Sequence, residues 1–431
     1  MVSYANSRIT QWLKQTNGFW FSLYAAVMGF CLYTFVYAFR KTFSVATFEG
    51  ISYAGISYKV WLVVFQVVGY ALSKFVGIKV ISELKPTSRA IGIVLMVLIA
   101  GISWLFFAIV PPPYNIVFLF TNGFPLGLVW GMIFGYMEGR RYTEVLGAGL
   151  SVSFIFSAGL AKSAGGFIMR DWGVSEMWMP FVASCVFLAP LLIFLWFLDK
   201  LPPPSALDES LRTRREPMHL TDRANFVKAF WPGIILFTLT YMLLTTFREF
   251  RDNFAAEVWK SLGYGDSPEI FTTTEAPVSM AVLVVIGSLM LIKNNQKALM
   301  VNHLIIFVGM VMIGVSTFLF QKEWISPPLW MILIGTGLYL GYVPFNSIFF
   351  DRLLAAFKYV GTVGFLIYVA DAFGYLGSIG VLVFKEFAYA RLSWLEFFFS
   401  AGYVISIVGS MLIAGSMFYF HWKHKRWGKE Q

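Results

Sequence analysis

Twelve apolar runs recur along this 431-residue chain, and they leave very few architectures open. They lie near 18–45, 58–82, 89–111, 114–138, 145–169, 177–199, 229–256, 275–293, 299–320, 328–351, 359–384 and 393–420. A helix needs about 20 mostly apolar residues to cross the hydrocarbon core of a bilayer. Within lipid every backbone polar group must find its partner inside the protein, so such runs become helices. The expected class is an all-α membrane protein with twelve transmembrane helices. Only 13% of residues are charged, against roughly 25% in a soluble domain, which excludes soluble and disordered classes.

The charges divide the chain. The longest polar stretch runs from Asp199 to Lys228, so the expected organisation is a six-helix bundle over 1–199, a cytoplasmic loop over 200–228 and a second six-helix bundle over 229–431. Alternate loops are rich in Lys and Arg, which places both termini in the cytoplasm by the positive-inside rule. The net charge of +10 is therefore a topology signal, and no nucleic-acid partner is expected. Cys31 and Cys185 are far apart, and the four histidines do not cluster, so neither a disulfide framework nor a metal site is expected. No nucleophile–base pair or phosphate-cradling glycine loop argues for an enzyme.

The halves read as a repeat. Phe39-Arg40 late in the first span matches Phe247-Arg248 in the seventh, and Gly127, Gly147 and Gly166 match Gly341, Gly361 and Gly380 at a constant offset of 214. Parallel repeats of this kind place a solute site at mid-membrane between the halves.

Four cations stand inside otherwise apolar spans: Arg40, Lys74, Lys162 and Arg248. Each costs roughly 2.5–3.5 kcal/mol at the bilayer centre, so four facing lipid would cost about 12 kcal/mol. They are tolerable beside a water-filled cavity or an anion, which points to a pathway for a negatively charged solute. An arginine that snorkels to the interface, or a lysine in an internal ion pair, is the competing reading of each.

Four stretches carry a family resemblance. Tyr33-x-x-x-Tyr37-x-x-Arg40-Lys41-x-Phe43, Tyr70-x-x-Ser73-Lys74-Phe75, Lys162-Ser-Ala-Gly165-Gly166 and Phe373-Gly374-Tyr375-Leu376-Gly377 resemble helices one, two, five and eleven of the organophosphate:phosphate antiporters. These belong to the major facilitator superfamily and include the glycerol-3-phosphate transporter. The resemblance implies the major facilitator fold, with Arg40 and Arg248 as the phosphate clamp and Lys74 near the site. Lys162 stands where the glycerol-3-phosphate transporter has histidine. Arg251 competes with Arg248 for the clamp position.

Other residues join the candidate site. Tyr33, Tyr37 and Arg40 share one helical face, and Tyr70 lies on the face of span two that carries Lys74. Asn346 in span ten is a hydrogen-bonding candidate for the organic part of a solute, or for a neighbouring helix, and Pro344 is expected to kink that span. Asp371 reads as the acid placed well inside a span, with three roles open: pairing with a cation such as Lys162, recognising a substrate ammonium, or carrying a proton. Glu138, Arg140, Asp351 and Arg352 close spans four and ten at matched places and are gate candidates, or else solvated charges. Glu249, Arg251, Asp252 and Lys260 read as a solvated or mutually paired surface.

The expected protein is thus a monomeric, multi-pass secondary transporter of a cell inner membrane. It moves a small anionic or zwitterionic organophosphate or phosphonate by alternating access, in exchange for inorganic phosphate, with no cofactor. A proton-coupled symporter of a carboxylate or zwitterion using Asp371 is the alternative, and a transporter-like sugar-phosphate receptor is a third reading.

Overall fold

The computed structural model describes residues 7–83, 86–137, 143–203, 220–357, 363–388 and 392–430. The chain forms two compact units. Unit 1 spans Met1–Arg212 with Asp266–Thr273, and unit 2 spans Thr213–Gly265 with Thr274–Gln431.

In unit 1 a short helix, α1 (Arg8–Gln15), precedes α2 (Gly18–Lys41), α3 (Tyr58–Glu83), α4 (Arg89–Ile109), α5 (Val117–Phe134), α6 (Thr143–Trp172) and α7 (Met179–Leu198). The N-cap Asn17 opens α2 by accepting the Trp20 amide, the local chemistry expected at a helix start. A two-residue hairpin, Ser52–Tyr53 against Ile56–Ser57, leads into α3. Ala54 and Gly55 both take positive φ there, as a tight primed turn requires.

In unit 2 the order is α8 (Leu220–Asn253), α9 (Ala255–Ser261), α10 (Glu269–Leu289), α11 (Asn295–Gln321), α12 (Pro327–Ser347), α13 (Phe349–Ala356), α14 (Val363–Ala388), α15 (Trp394–Val404) and α16 (Ser410–Glu430). The first five residues of α10 belong to unit 1. Pro344 sits in the last turn of α12, and the helix breaks at Ile348 before α13 resumes.

Eleven helices among the described residues are long and apolar enough to cross a membrane. The 26-residue α14 falls where the span at 359–384 was expected. The packing is that of a membrane protein. On α4 the apolar residues Ile93, Val97, Ala100, Trp104 and Phe107 are buried, yet Ile91, Leu95, Leu98, Ile102, Phe106 and Ile109 are exposed. That outward stripe repeats every three or four residues and would be intolerable in water.

Small residues let the helices approach closely. A Cβ on Gly123 of α5 would lie 2.3 Å from the Gln66 carbonyl oxygen of α3, and one on Gly309 of α11 would lie 2.4 Å from the Gly337 carbonyl oxygen of α12. Close backbone contact substitutes for a hydrophobic driving force that lipid does not provide.

Candidate functional site

In unit 1, α2 carries Tyr33, Tyr37 and Arg40. Tyr33 and Tyr37 are buried, with ring centroids 6.1 Å apart, and Arg40 follows one turn on at 4% exposure. The Arg40 guanidinium lies 3.7 Å over the ring of Tyr70 on α3. Lys74 Nζ lies 4.7 Å from the same ring and 5.8 Å from that of Trp130. One tyrosine ring therefore gathers two cations from two helices. Desolvated cation–π contacts reach about 2 kcal/mol, so the ring offsets part of the cost of burying charge.

Lys162 on α6 is 3% exposed, and its ammonium turns back to the Ala158 carbonyl at 3.4 Å. The register of α6 against α2 is set by Ser157 donating to Thr34 at 3.0 Å and by Gly165 meeting Thr42 and Val45. That constant spacing puts Lys162 level with Phe39 and Arg40.

Two further cations went unassigned in the sequence. Lys41 and Lys59 are fully buried, and Lys59 Nζ donates to the Ser44 carbonyl at 2.8 Å. Lys41 follows Arg40 directly within the Arg-Lys-x-Phe run. Lys59 stands at the very start of the span expected over 58–82.

In unit 2, α8, α12 and α14 bring Tyr241, Tyr342, Asn346 and Asp371 together. The Tyr241 hydroxyl donates to Asp371 Oδ1 at 2.5 Å, and Asn346 Nδ2 donates to the same hydroxyl at 3.3 Å. The Tyr342 hydroxyl is 3.2 Å away. Asn346 and Asp371, read separately from the sequence, are thus joined through Tyr241, which sequence reasoning passed over.

The arginines of α8 differ in role. Arg248 pairs with Glu249 at 2.6 Å, and its guanidinium lies 4.4 Å over the Tyr342 ring, next to the Tyr241–Asp371 cluster. Arg251 pairs with Glu275 of α10 at 2.7 Å and donates to the Met331 carbonyl at 3.2 Å, tying three helices. Arg248 is therefore the arginine beside the polar cluster, and Arg251 is a structural tie.

One reading is corrected. Glu249, Arg251 and Asp252 are buried rather than a solvated surface, and Glu275 is buried with them. Asp371 is thus one of several acids held inside unit 2. The helix that was expected from 275 begins earlier, and Thr272-Thr273-Thr274-Glu275 lies within the first turns of α10.

Of the gate candidates, Arg352 Nη1 donates to Asn295 at 2.7 Å and Asp351 lies in the first turn of α13. Glu138 and Arg140 lie outside the described residues. Among the described residues no three His, Cys, Asp or Glu side chains gather as a metal site.

The fold recurs in solved structures. A D-xylose–proton symporter matches at a TM-score of 0.63 with 16% identity, covering 92% of this chain and 97% of that one. A peptide transporter, POT, in complex with sulfate matches at 0.61 with 12% identity, covering 95% and 98%. The nucleoside transporter NupG matches at 0.59 with 14% identity, covering 93% and 99%. The chain has the fold of these transporters, the major facilitator fold. No curated protein matches it in sequence. The model of one family, described only as a family of unknown function (DUF5690), matches residues 42–423, and the chain belongs to that family.

Proposed function

We propose that the protein is a secondary active transporter that moves an organophosphate or phosphonate by alternating access, in exchange for inorganic phosphate. Arg40 and Arg248 supply guanidinium groups for the phosphoryl oxygens, which a planar fork engages bidentately. Lys74 and Lys162 add positive field, while Asn346 and Asp371 meet the organic end. Tyr33, Tyr37 and Tyr70 line the cationic face. Asp351 and Arg352, with Glu138 and Arg140, act at the cytoplasmic gate of an inner-membrane monomer whose termini are both cytoplasmic.

The observation that carries this reading is the charge buried in unit 1. Among the described residues Arg40, Lys41, Lys59, Lys162 and Lys200 are buried there, and no carboxylate is. Cations buried in this way favour a bound anion, because Coulomb energies in a low-dielectric interior far exceed those in water. It also gives exchange a physical basis, since a cationic site resists reorienting through the bilayer without its counter-charge.

Proteoliposomes loaded with inorganic phosphate should take up an alkyl phosphonate or sugar phosphate, and empty ones should not. Uptake that is independent of internal phosphate would overturn exchange. Failure of every phosphorus anion to bind would overturn the substrate class.

The Tyr241–Asp371 hydrogen bond favours a second reading, proton-coupled uptake of a carboxylate or zwitterion with Asp371 as the carrier. Asp371→Asn should then abolish pH-driven accumulation while leaving equilibrium binding in place. Unchanged pH-driven uptake in that variant rules the reading out.

A further inference from the structure

α2 gives way at Lys41 to a short 3-10 turn, Thr42–Val45, so the α-helical ladder is interrupted at its last carbonyls. Unmet carbonyls are costly at membrane depth. Here they are taken one after another by side chains. Ala38 O accepts from both the amide and the hydroxyl of Thr42, the latter at 2.6 Å. Lys41 O accepts from Ser44 Oγ at 2.7 Å. Those two partners are local.

The two carbonyls between them are reached from other spans. Phe39 O accepts from Trp104 Nε1 of α4 at 2.6 Å and from Asn122 Nδ2 of α5 at 3.2 Å. Arg40 O accepts from Gln66 Nε2 of α3 at 2.8 Å. Gln66 Nε2 also donates to Asn122 Oδ1 at 2.9 Å. The Asn122 amide has one consistent orientation: its Nδ2 faces the Phe39 and Ala100 carbonyls, which leaves Oδ1 to accept from Gln66.

The Phe39 and Arg40 carbonyls belong to the two peptide groups that flank the Arg40 Cα. The donors are fully interior, with Trp104, Gln66 and Asn122 at most 1% exposed. Remote side chains thus fix the backbone on both sides of one residue, whereas its neighbours are capped locally. General capping of a helix end would not single out those two peptide planes.

We infer that Gln66, Asn122 and Trp104 are positioning residues for Arg40. They set the direction in which its guanidinium leaves α2 and so govern anion affinity without touching the solute. The inference rests on the reading of Arg40 as an anion-binding residue.

The test is a double-mutant cycle on the full chain in detergent, with inorganic phosphate as the probe and calorimetry as the readout. Gln66→Leu should weaken phosphate binding about five- to tenfold. Trp104→Phe keeps the ring packing against Phe43 and Phe107 and should weaken it about threefold. In an Arg40→Ala background neither change should alter the residual affinity. A merely structural role predicts the same loss in both backgrounds, and that result overturns the inference. So does unchanged affinity in both single variants.

Should Gln66→Leu fail to fold by thermal denaturation, Trp104→Phe carries the cycle alone. If the parent protein binds no phosphate, or if Arg40→Ala binds as the parent does, the reading of Arg40 fails first and the inference falls with it. Loss in Arg40→Ala without loss in the other variants overturns the positioning role alone.

Discussion

The two units bury charge in opposite ways. Among the described residues unit 1 buries cations alone, whereas unit 2 buries Arg248, Arg251 and Lys385 beside Glu249, Asp252, Glu275 and Asp371. In unit 1 the central arginine lies on a tyrosine ring; in unit 2 both arginines are in ion pairs with glutamates. The second spanning helix of each unit even reaches back to the first with a different group. Gln66, a neutral amide, meets the Arg40 carbonyl, and Glu275, a carboxylate, meets the Arg251 guanidinium. The difference teaches that the units offset buried charge by different means, with carboxylates beside the arginines of unit 2 and an aromatic ring under the arginine of unit 1.

That contrast can be broken most forcefully at Glu275. Glu275→Ala leaves Arg251 buried without its carboxylate and should destabilise the protein by about 3–5 kcal/mol, read as a large drop in thermal unfolding temperature. A loss below about 1 kcal/mol would mean the pair is not a structural tie. Next comes Arg40→Ala, which should cost about 1.5–3 kcal/mol of phosphate affinity, a tenfold or greater rise in Kd by calorimetry. Arg40→Lys should fall between, since it keeps charge but loses the fork.

Tyr241→Phe removes the donor to Asp371 and should cost about 1.5–2 kcal/mol of stability in chemical or thermal unfolding. Stability equal to the parent's would show that Asp371 does not depend on it. The smallest effect is expected from Tyr342→Leu, about 0.5–1 kcal/mol, because Arg248 retains Glu249 when the ring is gone. Tyr70→Leu, under two cations in unit 1, should cost more, about 2 kcal/mol. Equal losses for Tyr70→Leu and Tyr342→Leu would erase the contrast between the units.

Much of this was legible from residue order. Runs of twenty apolar residues can do little else in lipid, and the first helix begins and ends close to the expected 18–45. The Tyr33–Tyr37–Arg40 face and the Tyr70–Lys74 face follow from helical periodicity alone. What the order of residues did not reveal was that the Tyr70 ring meets two cations.

The buried acids were missed for a physical reason. Hydropathy cannot distinguish a charged helix end that snorkels from one that packs against a partner, and Glu249, Asp252 and Glu275 all lie near such ends. Their signal was the alternation of opposite charges in Arg248-Glu249-Phe250-Arg251-Asp252, which suits mutual pairing. Gln66 and Asn122 had a plainer signal, each being the lone amide side chain of its helix, α3 and α5.

The outward stripe of α4 has a consequence for how such a protein varies. Positions facing lipid ask only for an apolar side chain, so Ile, Leu, Val, Phe and Met are nearly interchangeable there. About a third of α4 therefore carries little information, and substitutions can accumulate on it without altering the packing behind. A shape can then outlast its spelling, which is how 16% identity coexists with a shared architecture over 92% of the chain.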